Sequence, residues 1–153
     1  MACPICAWPS SSDDYPLILE TPHWRVVLAP NQSLLGRSVV QLRRHEGDLA
    51  NQTADELGEW LEIVGRFEQA LRAAFGATMF NWSCYMNHSY RAEPYEPHIH
   101  WWAVPRYALE VSFAGQTFRD PTFSDPYPHE RYITVSDNVR AAIVARLREA
   151  LGP

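Results

Sequence analysis

Several things are scarce in this sequence, and each scarcity excludes something. No uninterrupted apolar run approaches roughly 18 residues, so no membrane-spanning helix is expected. The first residues, "MACPICAWPSSSDDYP", hold neither a basic stretch nor an apolar stretch of the kind a signal peptide needs, so a cytoplasmic location is expected. Positive charge is short: 13 Lys and Arg stand against 18 Asp and Glu, for a net charge of −5. That balance excludes a protein that grips long nucleic acid by its backbone, which takes a basic face. It leaves room for a small phosphorylated ligand, which needs only a local cluster of donors. Cysteine is limited to three residues, which in a cytoplasmic setting read as thiols or metal ligands rather than disulfides. No internal repeat and no second domain are visible.

What is present fits one globular unit. At 153 residues, 46% of them hydrophobic, the chain is expected to form a single domain over residues 1–153. A chain of that length buries roughly 70% of its unfolded surface, enough for a core without staples. Residues 1–16 read as an arm carrying a Cys-x-x-Cys, and residues 108–153 as a C-terminal extension. "PLILE" (16–20), "HWRVVLA" (23–29) and "SVVQL" (38–42) read as strands separated by turn signals. Thr53 and Glu56 make a capping box. Leu57, Trp60, Leu61, Val64, Phe67, Leu71, Ala74 and Phe75 then recur at helical spacing up to Gly76, predicting a helix over 54–75 with one apolar stripe. Residues 77–87 and 98–104 read as two long strands, the second stopped by Pro105. Residues 109–118 suggest a hairpin around Ala114-Gly115. A last helix runs from Asp137 to Leu151, capped by Ser136. The expected class is α+β: an antiparallel sheet with the long helix packed on it and a C-terminal helix.

The chemistry concentrates in "EPYEPHIHWWAVPRY", Glu93 to Tyr107. On a strand His98, His100 and Trp102 point one way, and Ile99, Trp101 and Ala103 the other. Two imidazoles side by side are either polar residues on a half-exposed strand or the start of a site. Cys3 and Cys6 have metal-ligand spacing, and the alternatives are a redox pair or a zinc half-site. A closed zinc site takes four ligands. Cys84, in an apolar strand, reads as packing. His129 lies in a proline-rich loop that could reach a ligand or a partner subunit. Arg106 ends the histidine strand and is free, on sequence grounds, to meet a phosphate or a carboxylate.

Asn87 stands eleven residues before His98, Pro105-Arg106 follows the histidines, and "LLGRSVVQLRRHEGDL" places a strand and His45 ahead of the long helix. Together these resemble the histidine triad (HIT) family, over roughly residues 3 to 107. The resemblance implies a HIT-like fold assembled as a homodimer. It implies a nucleotide hydrolase or nucleotidyltransferase of the nucleoside phosphoramidate or dinucleoside polyphosphate class. Such a protein acts at the α-phosphate through a nucleotidyl-histidine, without a catalytic metal. His100 matches the nucleophile, which a neutral imidazole can be, with Asn87 and His98 as the other catalytic positions. Substrate contacts fall to Asn87, Trp102, Arg37 and Arg106, with Arg37 either a phosphate donor or a solvated surface residue. Cys3, Cys6, His45 and His98 match the zinc ligands of members that begin with Cys-x-x-Cys, which makes the implied Zn2+ structural.

This sequence also departs from the family pattern. Trp102 stands where a third histidine is usual, or a glutamine in the transferase branch. "EPYEP" replaces a Gly-Gln-Ser/Thr segment, and Arg37 replaces a common histidine. An indole has one N–H and moves no proton near neutral pH. The alternative function is therefore a nucleotide-binding protein with weakened turnover.

Overall fold

The computed structural model describes residues 3–7, 13–91 and 93–153; the remainder of the expected 1–16 arm lies outside the described residues. Cys3 opens it, buried, and a short helix α1 follows at Pro4–Ala7. The strands β1 (Leu17–Glu20), β2 (Trp24–Leu28) and β3 (Ser38–Leu42) pair antiparallel in sequence order. Helix α2 (Ala54–Phe75) comes next, then β4 (Met79–Ser83) and β5 (His100–Arg106). The sheet order is β1-β2-β3-β5-β4, so β5 sits between β3 and β4, antiparallel to both. A separate hairpin, β6 (Val111–Phe113) with β7 (Gln116–Phe118), turns through Ala114 and Gly115 at φ 49° and 75°. Two left-handed residues give a turn whose twist matches that of the strands. Helix α3 (Asp137–Leu151) closes the described chain.

Helix α2 has the predicted bounds because its ends are specified locally. The Thr53 hydroxyl accepts from Glu56 N, the Glu56 carboxylate accepts from Thr53 N, and Gly76 caps the C-terminus at φ 74°. Its stripe is rotated from the expected one. Ile63, Phe67, Ala70, Leu71 and Phe75 are buried, while Leu57 and Leu61 are 46% and 65% exposed. Trp60 instead packs edge-on to Trp82 and against Trp101, 4.6 Å from it. In α3, Ser136 caps through Val139 N, and Val139, Ile143 and Leu147 are buried.

The main core lies between the sheet and the two long helices and includes Trp24, Val26, Val40, Leu42, Ile99 and Ala103, with Trp101 packed on it. The other sheet face carries a smaller apolar patch of Val27, Ala29 and Val39, with Leu17, Tyr15 and Trp102 against it. Alternation along β5 therefore puts His100 and Trp102 on the face away from α2, as expected.

The strand boundaries differ from the sequence reading most in three places. The strand expected over 77–87 ends at Ser83, and Asn87 begins a 3-10 turn (Asn87–Tyr90) rather than lying on a strand. The strand expected from His98 starts regular pairing at His100, while Ile99 still bonds to both Glu46 O and Leu42 N. Pro105 does not stop β5 but lies inside it, opposite Phe80. The reason is local: β3 pairs with β5 only as far as Ala103, so at Pro105 the strand has one neighbour. A residue without an N–H is tolerated where a strand is locally an edge.

Candidate active site and metal cluster

At the start of β5 four residues from three distant segments meet. One ligand atom from each of Cys3, Cys6, His45 and His98 lies within 4.8 Å of the others. His98 Nδ1 is 3.3 Å from Cys3 Sγ and 3.4 Å from Cys6 Sγ, and His45 Nδ1 is 3.3 Å from Cys6 Sγ. Nitrogen and sulfur on a tetrahedral zinc stand about 3.5 Å apart, so the spacing fits such an ion. The tautomer fits as well. His98 Nε2 lies 2.7 Å from the Leu42 carbonyl, which can only accept, so the proton is on Nε2 and Nδ1 offers its lone pair to the cluster. His45 Nε2 has Glu96 Oε2 at 3.5 Å, a carboxylate orienting a histidine in the same way. Gly47 admits the segment leading into β5: a Cβ on it would lie 2.5 Å from Pro97 Cγ. Beside the cluster, Arg44 joins both Glu56 oxygens and the Asn51 carbonyl, tying the histidine segment to the start of α2.

Two residues on, the His98 carbonyl holds His100 Nδ1 at 2.7 Å. By the same logic Nδ1 carries the proton, and Nε2 is a free lone pair with no protein partner among the described residues. Burial lowers the His100 pKa; the carbonyl contact opposes that, and His88 nearby adds to it. The result is a neutral imidazole at physiological pH. His98 is shifted down likewise, first by burial.

The face around His100 contains buried polar atoms without partners among the described residues. Gln41 pairs with His100 across β3 and β5, is 2% exposed, and its Nε2 has no partner. Ser83 is the register partner of Trp102 on β4, and its Oγ is likewise unpartnered. Arg37 is 8% exposed, and among the described residues its Nε has no partner and no carboxylate pairs with it. Its guanidinium carbon lies 4.6 Å from the Trp102 ring centroid and 5.5 Å from that of Tyr127. Desolvation is the main influence on it and lowers its pKa, opposed by Tyr127, Tyr132 and Tyr15.

Arg37 is placed by the turn before it. Gly36 adopts φ 85°, and a Cβ there would lie 2.5 Å from Leu71 Cδ2. The buried Gln32 amide donates to Ala29 O and Arg37 O and accepts from Gly36 N. Tyr127 arrives on the loop after β7. That loop is anchored by Arg106, whose five donors are all used: two on Asp120, one on Asn81 Oδ1 and one each on the Asp125 and Thr122 carbonyls. Arg106 and Asp120 are both 1% exposed. The expectation that Arg106 reaches a ligand is corrected here, since it has no donor left to give. Asn87 sits exposed at the 3-10 turn, and its side chain makes no hydrogen bond among the described residues. Between β4 and the loop after β7 runs a cleft of about 320 Å³, lined by Asn81, Ser83, Tyr85, Asp125, Tyr127 and His129 among others.

Gln41, Ser83, Glu96 and Tyr127 were not among the residues singled out from sequence. Gln41 carried a signal, being the one amide in the apolar strand "SVVQL". Ser83 and Tyr127 carried none, because register and loop anchoring place them.

This architecture is the histidine triad fold. A hypothetical histidine triad nucleotide-binding protein from Sulfolobus tokodaii superposes with TM-score 0.68 at 14% identity, over 90% of this chain and 83% of its own. A zinc-bound histidine triad family protein from Mycobacterium smegmatis superposes with TM-score 0.58 at 20% identity, over 97% of this chain and 94% of its own. A uridylyltransferase does so with TM-score 0.63 at 14% identity, over 92% of this chain and 42% of its own. No family model and no curated protein matches the sequence. No helix among the described residues is long and apolar enough to cross a membrane.

Proposed function

We propose that this protein binds a nucleotide derivative on the His100 face and cleaves it at the α-phosphorus through a nucleotidyl-His100 intermediate. The observation that carries the reading is the His100 tautomer: Nδ1 is committed to the His98 carbonyl at 2.7 Å, and Nε2 is left as a nucleophile. Trp102, half-buried and packed over the apolar patch of Val27, Ala29 and Val39, offers the aromatic surface beside His100. Arg37, Gln41 and Ser83 supply donors whose unmade hydrogen bonds a phosphate would complete. Asn87, exposed at the start of the 3-10 turn after β4, stays a candidate contact.

The reading includes structural zinc on Cys3, Cys6, His45 and His98. A divalent ion there would supply a covalent-strength tie between the arm, the helix entry and β5. This chain's own residues do the rest: His98 carries the tie to the carbonyl that orients His100. The exposed Leu57 and Leu61 on α2 favour assembly as a homodimer.

A second reading, binding with little turnover, is favoured by Trp102, which cannot shuttle a proton. One experiment separates them. The protein is incubated with adenosine 5′-phosphoramidate, diadenosine tetraphosphate and uridine diphosphate esters, and nucleoside monophosphate release is followed beside equilibrium binding of the nucleotides. Release that His100→Ala abolishes supports the enzyme; binding without release supports the second reading; absence of binding contradicts both.

A further inference from the structure

Resting on the enzymatic reading above, the geometry points to the class of leaving group. We infer that the Arg37–Trp102 pair selects donors whose leaving group is an anionic phosphate that departs without accepting a proton, rather than an amine. Trp102 lies between nucleophile and cation. Its ring centroid is 6.4 Å from that of His100 and 4.6 Å from the Arg37 guanidinium carbon. An indole N–H and a guanidinium donate hydrogen bonds but release no proton near neutral pH. The position where a general acid would stand thus holds a fixed positive charge behind an aromatic plate.

That charge is unusual in this chain. Arg37 is nine-tenths buried, unpaired with any carboxylate among the described residues, and has an unpartnered Nε. Arg106, the other deeply buried arginine, has every donor satisfied. A buried, uncompensated cation is costly unless an anion joins it. Beyond Tyr127, on which Arg37 also rests, opens the polar cleft lined by Asn81, Ser83, Asp125 and His129. It has room for whatever the leaving phosphate carries.

The bond changes follow. The Nε2 lone pair of His100 forms an N–P bond as the P–O bond to the leaving phosphate breaks. The electron pair stays on that oxygen, which departs as a phosphate anion held by Arg37. Water then forms an O–P bond while the N–P bond breaks, the pair returns to Nε2, and the water proton passes to solvent. An amine, by contrast, has to gain a proton as its P–N bond breaks, and neither Trp102 nor Arg37 gives one.

The test compares donors sharing one nucleoside: a diphosphate ester, a phosphoramidate, and a phosphorimidazolide as a pre-activated control. The diphosphate ester is expected to exceed the phosphoramidate in kcat/KM by about 100-fold or more, the size of a lost general acid. Arg37→Gln is expected to cost the diphosphate ester about 10²–10³-fold, as for loss of a charge-stabilising donor, with Arg37→Lys recovering part. The same variant is expected to lower labelling of His100 by the imidazolide by at least about tenfold less than it lowers turnover of the diphosphate ester, a split between donors that a merely structural role would not produce. Trp102→His is expected to gain phosphoramidate turnover. Equal losses on all three donors, or a phosphoramidate turned over as fast as the ester, would overturn the inference. So would phosphoramidate activity abolished by His129→Gln, which would place the missing acid on the cleft loop. If the imidazolide labels His100 but the ester is inert, the leaving-group inference alone fails. If no donor labels the protein, the enzymatic reading fails with it.

Discussion

The two ends of the histidine stretch follow opposite rules. At the His98 end the histidine and the charged groups are paired: His98 bonds to Leu42 O on one side and faces two sulfurs on the other, and Arg44 joins Glu56. From His100 towards Trp102, Gln41 Nε2, Ser83 Oγ and Arg37 Nε are buried with nothing to bond to among the described residues. Buried polar groups are nearly always satisfied in native proteins, so three unpaired ones around His100 call for a partner, and a ligand would be one. The first end is paired within the protein, and the second is where the proposed nucleotide would bind. The His98 carbonyl connects them through His100 Nδ1.

Substitutions on either side sharpen this contrast. The largest effect is expected at the junction. His100→Ala should lower nucleoside monophosphate release by about 10⁴-fold, measured under steady state, with the fold intact by circular dichroism. Next come the two buried arginines. Arg106→Met strands Asp120 and should cost about 3–5 kcal/mol in urea unfolding, while Arg37→Met, with no partner to strand, should cost under about 1 kcal/mol. If the two cost the same, the contrast between satisfied and waiting donors is wrong. Removing the metal cluster comes third. Cys3→Ser with Cys6→Ser should abolish about one equivalent of zinc per chain in elemental analysis and lower the melting temperature by about 10 °C, roughly 3 kcal/mol. The smallest effect is the most diagnostic. Gln41→Leu should raise stability by about 1 kcal/mol, since it removes an unsatisfied buried amide, yet lower kcat/KM about tenfold. A variant more stable and equally active would show that the unpartnered amide serves no ligand.

Parts of this architecture were readable from the sequence because their causes are local. Helix α2 begins and ends at residues that make their own caps, Thr53, Glu56 and Gly76, and the prediction matched it residue for residue. The β6–β7 hairpin turns where Ala114-Gly115 indicated. The Cys3–Cys6–His45–His98 grouping, implied by resemblance, is one the fold does bring together. What escaped depends on which element lies next to which. Pro105 is tolerated in β5 only because β3 has ended. Arg106 looked free because its partners, Asp120, Thr122 and Asp125, lie on a loop 14 to 19 residues away in sequence. The α2 stripe turned away from Leu57 and Leu61 because Trp60, with Trp82 and Trp101, fills that end of the interface. Gln41 became a site residue only through its register with His100.

The central claim is that His100, oriented through the satisfied end of the strand, attacks phosphorus at the unsatisfied end. Intact-protein mass spectrometry after rapid mixing with a nucleoside diphosphate ester, quenched at alkaline pH, tests this directly. The account predicts a single mononucleotide adduct on the native protein and none on His100→Ala. An adduct that persists in His100→Ala, or none on the native protein while the nucleotide is bound, would contradict it.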